Sequence, residues 1–236
     1  MVNNTVSVRV AIGIATVLLL SAEVSVSRAG GWKVVRKEAG VTVSQKEIEG
    51  RDLPVFRGST VIAADIYDLL GILQDIDEHP KWMHRCKEAR LIKRYAEFHV
   101  LHYNRTDAPW PVSDRDTVLD SRVEIQPESH SVLVRFKAVK SPLQGEVTDV
   151  VRMRRLSGYY KLTALSATKT RVEYQVDADP GGSLPAWVVA MASEDLPVNT
   201  LTNLRARAKS GKGKYQAFRA RWDPALNPDA PVLIPK

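Results

Sequence analysis

The sequence predicts an α+β fold in which one long, curved antiparallel sheet is closed by a C-terminal α-helix. Three observations lead to this fold class. Short segments rich in β-branched residues recur along most of the chain, a helical period interrupts them once near residue 70, and a helical segment of about 22 residues follows the last strand. With 236 residues, of which 44% are hydrophobic, the chain can bury a sizeable core as one domain.

The candidate strands fall into two groups. In the first group, Gly or Pro separates short β-branched runs, which is how an antiparallel meander begins. Its members are WKVVRK, VTVSQKEI and PVFRGSTVIA. The second group has seven candidate strands, which extend the same sheet: EARLIKRY, FHVLHYNRT, RDTVLDSRVEI, SVLVRFKAV, GEVTDVVRMRRL, GYYKLTAL and TRVEYQVDA.

Helical patterns stand between and after these groups. AADIYDLLGILQDI has apolar residues at helical spacing, with Asp65 near its start, and Pro80 and Trp82 follow in a second short helical piece. After DPGGSLP breaks the sheet, AWVVAMASEDLPVNTLTNLRARA predicts the closing helix, with a bend at Pro197. A curved sheet closed by one helix can enclose more volume than its own side chains fill, so an apolar ligand is the natural filler.

The N-terminus predicts export. Residues 10–20 are an apolar run. Ser27 and Ala29 are small residues at positions −3 and −1 relative to a cleavage site after Ala29, as signal peptidases require. We expect residues 1–29 to be a signal peptide that is cleaved near Ala29, which places the protein in the periplasm; an uncleaved anchor is the alternative. Cys86 is the only cysteine, so no intrachain disulfide can form in that compartment.

The C-terminal segment carries the excess positive charge. The formal net charge is +7, and the stretch between Leu196 and Trp222 contains basic residues but no acid. These charges suit either a solvated helix face or a surface of anionic lipid headgroups, and an exported monomer is not expected to meet nucleic acid. Residues 210–236 predict a flexible tail that is basic and then Pro-rich. The residues expected at an anionic membrane are Arg205, Arg207, Lys209, Lys212 and Lys214.

Three segments carry a family resemblance. PWPVSDRD, VVRMRRLSGYYKL and DADPGGSLPAWVV resemble, in this order, the signature segments of START domains, a lipid-transfer family. The resemblance covers residues 32–209 and implies a helix-grip fold, in which a U-shaped sheet grips the C-terminal helix over a tunnel for one lipid. It also places Trp110, held rigid between Pro109 and Pro111, at the tunnel mouth as a gate or membrane contact. If that loop folds inward instead, Trp110 plugs the core.

The resemblance and the strand alternation together predict the binding site. Where sterol-binding members have an acidic residue facing an arginine, this chain has His102 and Ser121, so a sterol, a fatty acid or a similar apolar lipid is the expected ligand. Arg115 and Asp116 are expected to form structural hydrogen bonds. The predicted lining residues are His102, Thr117, Leu119, Ser121, Val132, Val134, Phe136, Trp187, Met191, Glu194 and Val198.

An enzyme of the same fold is the alternative reading. Aromatases and cyclases share the helix-grip fold, and His102 with Glu194 or Tyr103 could perform proton chemistry in the cavity. No spacing in the sequence forces such a donor and acceptor together, so binding without a cofactor is the main prediction. No metal site is expected, because His99 and His102 face opposite sides of a strand and HExxH and CxxC motifs are absent.

Overall fold

The computed structural model describes Met1 and residues 31–233 except positions 52, 154, 183–185, 212 and 225; the side chains of residues 186–194 are also outside the description. The predicted signal peptide, Lys212 and the side chains of Trp187, Met191 and Glu194 therefore lie outside the described residues. Within them, a large antiparallel sheet is covered by a C-terminal helix, so the predicted fold class is confirmed. No helix among the described residues is long and apolar enough to cross a membrane.

Ten strands form one sheet. They are β1 (Lys33–Glu38), β2 (Val41–Lys46), β3 (Val55–Ile62), β4 (Cys86–Ala96), β5 (His99–Thr106), β6 (Arg115–Gln126), β7 (Ser131–Ala138), β8 (Val151–Arg152), β9 (Arg155–Ser166) and β10 (Lys169–Asp179). In space their order is β1-β2-β3-β10-β9-β7-β6-β5-β4, and β8 adds a short parallel pairing to β6. The sheet curves but does not close into a barrel.

One predicted strand is mostly a loop. The sequence predicts a strand over residues 145–156, but the structure has turns up to residue 150, and only β8 and the start of β9 are extended there. Asp149 takes a positive φ of 61°, which interrupts extended backbone. Val147 packs on a small cluster on the outer face of the sheet, formed by Leu101, Tyr103 and Val118. Residues 145–150 therefore cover this outer cluster and do not pair with a neighbouring strand.

Two helices, the first one and the long C-terminal one, pack on the concave face of the sheet. Asp65 caps the first of them by accepting a hydrogen bond from the backbone N–H of Asp68 at 2.8 Å. The first helix runs straight on into a short 3-10 helix, as the sequence predicts. The helices are α1 (Ile66–Gln74), the 3-10 helix Ile76–Lys81, a second 3-10 helix Pro127–Ser129, α2 (Ala186–Ser210) and α3 (Gln216–Trp222).

The second half of α2 lies directly on the sheet. A side chain at Gly58 of β3 would come within 2.8 Å of the Pro197 Cβ and 2.9 Å of the Leu201 Cδ1, so only glycine permits this approach. Leu201 and Leu204 are fully buried there. Arg205 fixes the end of the helix by donating to the Ala39 carbonyl at 2.7 Å. From Pro197 onwards, α2 therefore completes the core.

The described residues beyond α2 are folded, which corrects the prediction of a flexible tail for them. Residues 213–233, here called the C-terminal strap, carry α3 and pack across the outer side of α1. The strap buries Tyr215 against Gly71, where a Cβ would lie 2.8 Å from the tyrosine ring, and it buries Leu233 to 1% exposure. The ring of Trp222 lies 4.4 Å from that of Phe98. The sequence pattern misses this packing because prolines at 224, 228 and 231 interrupt the segment, so its apolar residues show no regular period.

Candidate functional site

A cavity of about 240 Å³ lies between the concave face of the sheet, the 3-10 helix after α1, and α2. Strand alternation builds its walls, since every second residue of β5, β6, β7, β9 and β10 points to this face. Most of the lining is apolar and includes Phe56, Leu73, Leu119, Val134, Phe136, Leu156, Val176 and Ala178. Such a cavity suits the apolar part of a small molecule.

The inner end of the cavity carries a few polar groups that are neutral. His102 Nε2 and Ser121 Oγ are 2.9 Å apart, and the ring of His79 lies 6.2 Å from the ring of His102. Burial lowers the pKa of His79 to about 4, and burial together with the nearby His79 lowers the pKa of His102 to about 3. Both imidazoles are therefore uncharged at neutral pH.

Two stacked tyrosines form the opposite wall. The rings of Tyr160 and Tyr174 are 4.4 Å apart and nearly parallel, with the ring of Phe136 6.1 Å from that of Tyr160. Burial raises the pKa of the Tyr160 phenol well above its ordinary value. Among the described residues, the Nδ1 atoms of His79 and His102 are buried without a hydrogen-bond partner. These atoms are available to a polar group of a ligand or to water.

The loop between β5 and β6 forms the open end of the cavity. Pro109 and Val112 line it, whereas the Trp110 side chain is 89% exposed, so the inward-folded alternative for Trp110 does not occur. Asp114 anchors the loop: its carboxylate accepts from Lys87 at 2.9 Å and from Arg105 at 2.7 Å. Burial raises the pKa of this carboxyl, but the two hydrogen bonds outweigh burial and leave the pKa below its ordinary value.

The Arg115 and Asp116 side chains point to opposite faces of β6. Asp116 is 1% exposed and accepts two hydrogen bonds from Arg152, at 2.6 Å and 3.0 Å, which tie β8 to β6. Arg115 faces the cavity and donates to the carbonyls of Ser113 and Gly181. Asp116 therefore has a purely structural partner, while Arg115 both holds two loops together and lines the cavity.

The structure brings only part of the predicted site together. Thr117, Val132 and Val198 are buried but do not line the cavity. Val132 and Val198 belong instead to the main hydrophobic core, since α1 and the second half of α2 fill the space on that side of the sheet. Pro111 also stays outside the lining. The predicted residues that do line the cavity are His102, Leu119, Ser121, Val134, Phe136 and Pro109.

Three of the basic residues predicted at a membrane have partners within the chain. Arg207 pairs with Glu78 at 2.7 Å, and Lys214 pairs with the same carboxylate at 3.0 Å. Arg205 donates to Ala39 and Thr60. Glu78 of the 3-10 helix after α1 is thus the shared partner of Arg207 and Lys214, and no pattern within the basic segment itself could predict it. Lys209 remains exposed.

Sequence reasoning missed several lining residues. Tyr160 and Tyr174 alternate correctly with their strand neighbours, so the period-two pattern already contained a signal for them. His79 and Cys86 come from the 3-10 helix and from the first residue of β4, and no periodicity indicates their direction. Tyr103, which the sequence offered as a proton donor beside His102, faces the outer side of the sheet with Leu101 and Val118. The proton-transfer set of His102 and Tyr103 is therefore not assembled.

A curved antiparallel sheet and a C-terminal helix around an apolar cavity define a class of proteins that enclose a hydrophobic small molecule. The START domain profile matches residues 15–212, and this chain belongs to the START domain family. An uncharacterised protein of Pseudomonas aeruginosa is 32% identical over 75% of this chain and 87% of its own length. START domain-containing protein 10 of Mus musculus is 26% identical over 86% of this chain and 70% of its own length.

A solved structure supports the same assignment. The STAR-related lipid transfer protein of Xanthomonas axonopodis, solved as the fragment 25–204, superimposes with a TM-score of 0.69 at 30% identity. The match covers 76% of this chain and 99% of that fragment. The fold and the family are thus established together.

Proposed function

We propose that this START domain binds one mostly apolar lipid in its cavity and carries it between membranes. The observation that supports this best is the cavity itself, which is apolar along both walls and keeps only uncharged polar groups at its inner end. Burying the apolar part of a ligand there contributes roughly 25 cal/mol per Å² of area removed from water. A fatty acid, a sterol or a similar lipid suits this lining.

The chemistry of the cavity favours binding over catalysis. The described side chains that come closest to a nucleophile and base are Ser121 and His102. A general base works best when its pKa lies near the working pH, whereas burial lowers the pKa of His102 to about 3. No carboxylate among the described lining residues orients this imidazole. The pair therefore suits hydrogen bonding to a ligand.

Filling the cavity should abolish lipid uptake. We expect lipid to be extracted in near-stoichiometric amount from the purified protein. Ala178→Trp should lower that occupancy at least about tenfold, because the indole would occupy cavity volume beside the open end. Native mass spectrometry with lipid extraction measures both quantities. Gln175→Trp is the matched control, since Gln175 lies on the same strand with its side chain on the opposite face. Equal lipid content in the two variants would contradict the proposal, and turnover of the bound molecule would favour an enzyme.

We further propose that Trp110 contacts the membrane during lipid exchange. A tryptophan is favoured in the interfacial zone, and this one is exposed between two residues that line or flank the open end. Because Arg205, Arg207 and Lys214 are paired within the chain, the loop is the better candidate for docking.

Trp110→Asp should slow lipid transfer without destabilising the fold. An exposed side chain contributes little to the core, so we expect the melting temperature to change by no more than about 2 °C. Transfer of a fluorescent lipid between anionic vesicles should slow about tenfold, because aspartate is repelled by the headgroups. Leu143→Asp, at another exposed apolar position, is the control. Normal transfer by a well-folded Trp110→Asp variant would remove this loop from the mechanism.

A further inference from the structure

Arg115 is a buried cation that faces the cavity without a counter-charge. Arg115 is only 7% exposed. It is the first residue of β6 and lies next to the open end of the cavity. Of the five N–H donors of a guanidinium, two go to the carbonyls of Ser113 and Gly181, the latter at 3.4 Å. The Nε donor is buried with no partner among the described residues.

The acids near Arg115 are already engaged elsewhere. Asp114 binds Lys87 and Arg105, and Asp116 binds Arg152 on the other face of the sheet. The one acid among the described lining residues, Asp107, lies 3.6 Å from Arg85 in an ion pair. No ion pair joins Arg115 to a carboxylate in the part of the chain that the structure describes. Leaving a charge buried and unpaired is costly, so a partner from outside the chain is expected to stabilise it.

The electrostatics of the site agree with this geometry. Burial lowers the pKa of the Arg115 guanidinium, and Asp114 offsets this only in part. Arg85 and Arg115 both line the open end, against the single carboxylate of Asp107. At the inner end, His102 and Ser121 present only neutral groups. A ligand therefore meets a net positive charge at the open end of the cavity and only neutral groups at the inner end.

We propose that Arg115 binds the anionic headgroup, foremost a carboxylate, of the lipid in the cavity. The lipid enters with its apolar chain first and leaves its charged end at the open end of the cavity. Ser121 lies six positions after Arg115 on β6, so the lipid chain has a path of about 20 Å along this strand. The ligand class is then a long-chain fatty acid or a similar single-chain anionic amphiphile. This inference rests on the proposed lipid-binding function and narrows it.

Matched ligands test the assignment directly. Dodecanoic acid, dodecanol and dodecyl phosphate share one chain and differ in their heads, and isothermal titration at pH 8 measures the affinity of the full chain for each. Because charge-assisted hydrogen bonds are the strong ones, we expect the acid to bind about tenfold to a hundredfold more tightly than the alcohol. Arg115→Gln should abolish this preference and change dodecanol affinity by less than about threefold. Tighter binding of the phosphate than of the acid would make phosphate the preferred anion.

The controls separate the possible failures. Arg122→Gln removes one charge from the exposed side of the same strand and should keep the preference for the acid. Arg115→Lys keeps the positive charge but loses the forked N–H donors of the guanidinium, so it should retain part of the preference for the acid over the alcohol. If Arg115→Gln does not fold, the size of this preference in Arg115→Lys tests the role of Arg115 instead. An acid that binds no better than the alcohol, or a preference that survives in Arg115→Gln, overturns the role of Arg115. If none of the three ligands binds the natural protein, the proposed lipid-binding function itself fails.

Discussion

Lowering the pH from 7 to 5 is expected to remove about 4 kcal/mol from the free energy of unfolding, about 2 kcal/mol for each of two buried histidines. The pKa of His79 is lowered to about 4 and that of His102 to about 3, chiefly by burial, whereas both titrate near 6.5 when the chain is unfolded. Between these values the unfolded chain binds more protons than the folded chain. This contribution to stability is thus complete above pH 6.5 and is lost progressively as the pH falls to about 4 for His79 and to about 3 for His102.

Urea unfolding at pH 7 and pH 5 measures this loss, which is a large fraction of the stability of an ordinary domain. The double variant His79→Gln, His102→Gln should unfold with nearly the same free energy at the two pH values, although it will be less stable at pH 7. His84→Gln is the control, because burial lowers the pKa of the half-exposed His84 less strongly. A pH dependence that persists unchanged in the double variant would assign the acid sensitivity to other groups.

Removing the C-terminal strap is expected to cost about 5 kcal/mol or more. A chain that ends at Ser210 loses the burial of Tyr215 and Leu233, and each such side chain is worth about 1.5–3 kcal/mol. It also exposes the fully buried Tyr67 and removes the ion pair between Arg219 and Asp65 at 2.7 Å. Chemical unfolding of the shortened chain measures the change.

The same truncation should weaken lipid binding even though no described strap residue lines the cavity. The reason is that α1 lies between the strap and the cavity: its outer side packs on the strap, while Leu73 near its end lines the cavity.

Leu233→Ala is a milder change than the truncation, with an expected loss of about 2–4 kcal/mol in the free energy of unfolding. Lys214→Gln tests the contribution of charge and should cost no more than about 1 kcal/mol, since its ion pairs are partly exposed. A shortened chain as stable as the full one would show that the strap only rests on the domain.

The features that the sequence predicts well are those that depend on local periodicity. Alternation in RDTVLDSRVEI correctly placed Leu119 and Ser121 on the cavity face, and helical spacing located α1. The prolines on either side of Trp110 kept it out of a strand, as the sequence predicted, but its exposure is seen only in the structure. The composition of residues 186–208 predicted the closing helix, and the family resemblance implied the same helix over a lipid tunnel.

The features that the sequence does not predict depend on contacts between distant segments. Thr117 and Leu119 have the same alternation, yet only Leu119 lines the cavity. The sequence indicates a free surface charge at Lys214, whereas in the structure Asp75 and Glu78, which follow α1, form ion pairs with it. Arg115 reads as one half of a structural pair, because nothing in the local pattern reveals that Asp116 already has Arg152.

The strand order also constrains how the chain can fold. β3 finds its second neighbour only in β10, where Ile62 pairs with Thr170, so the partners are separated by more than a hundred residues of sequence. During synthesis the first three strands can form a meander, but their inner edge stays open until β10 has left the ribosome. Closing so large a loop is entropically costly, and folds dominated by such distant pairings form slowly. Until then the edge of β3, which carries the apolar Phe56 and Ile62, remains open to pairing with wrong partners.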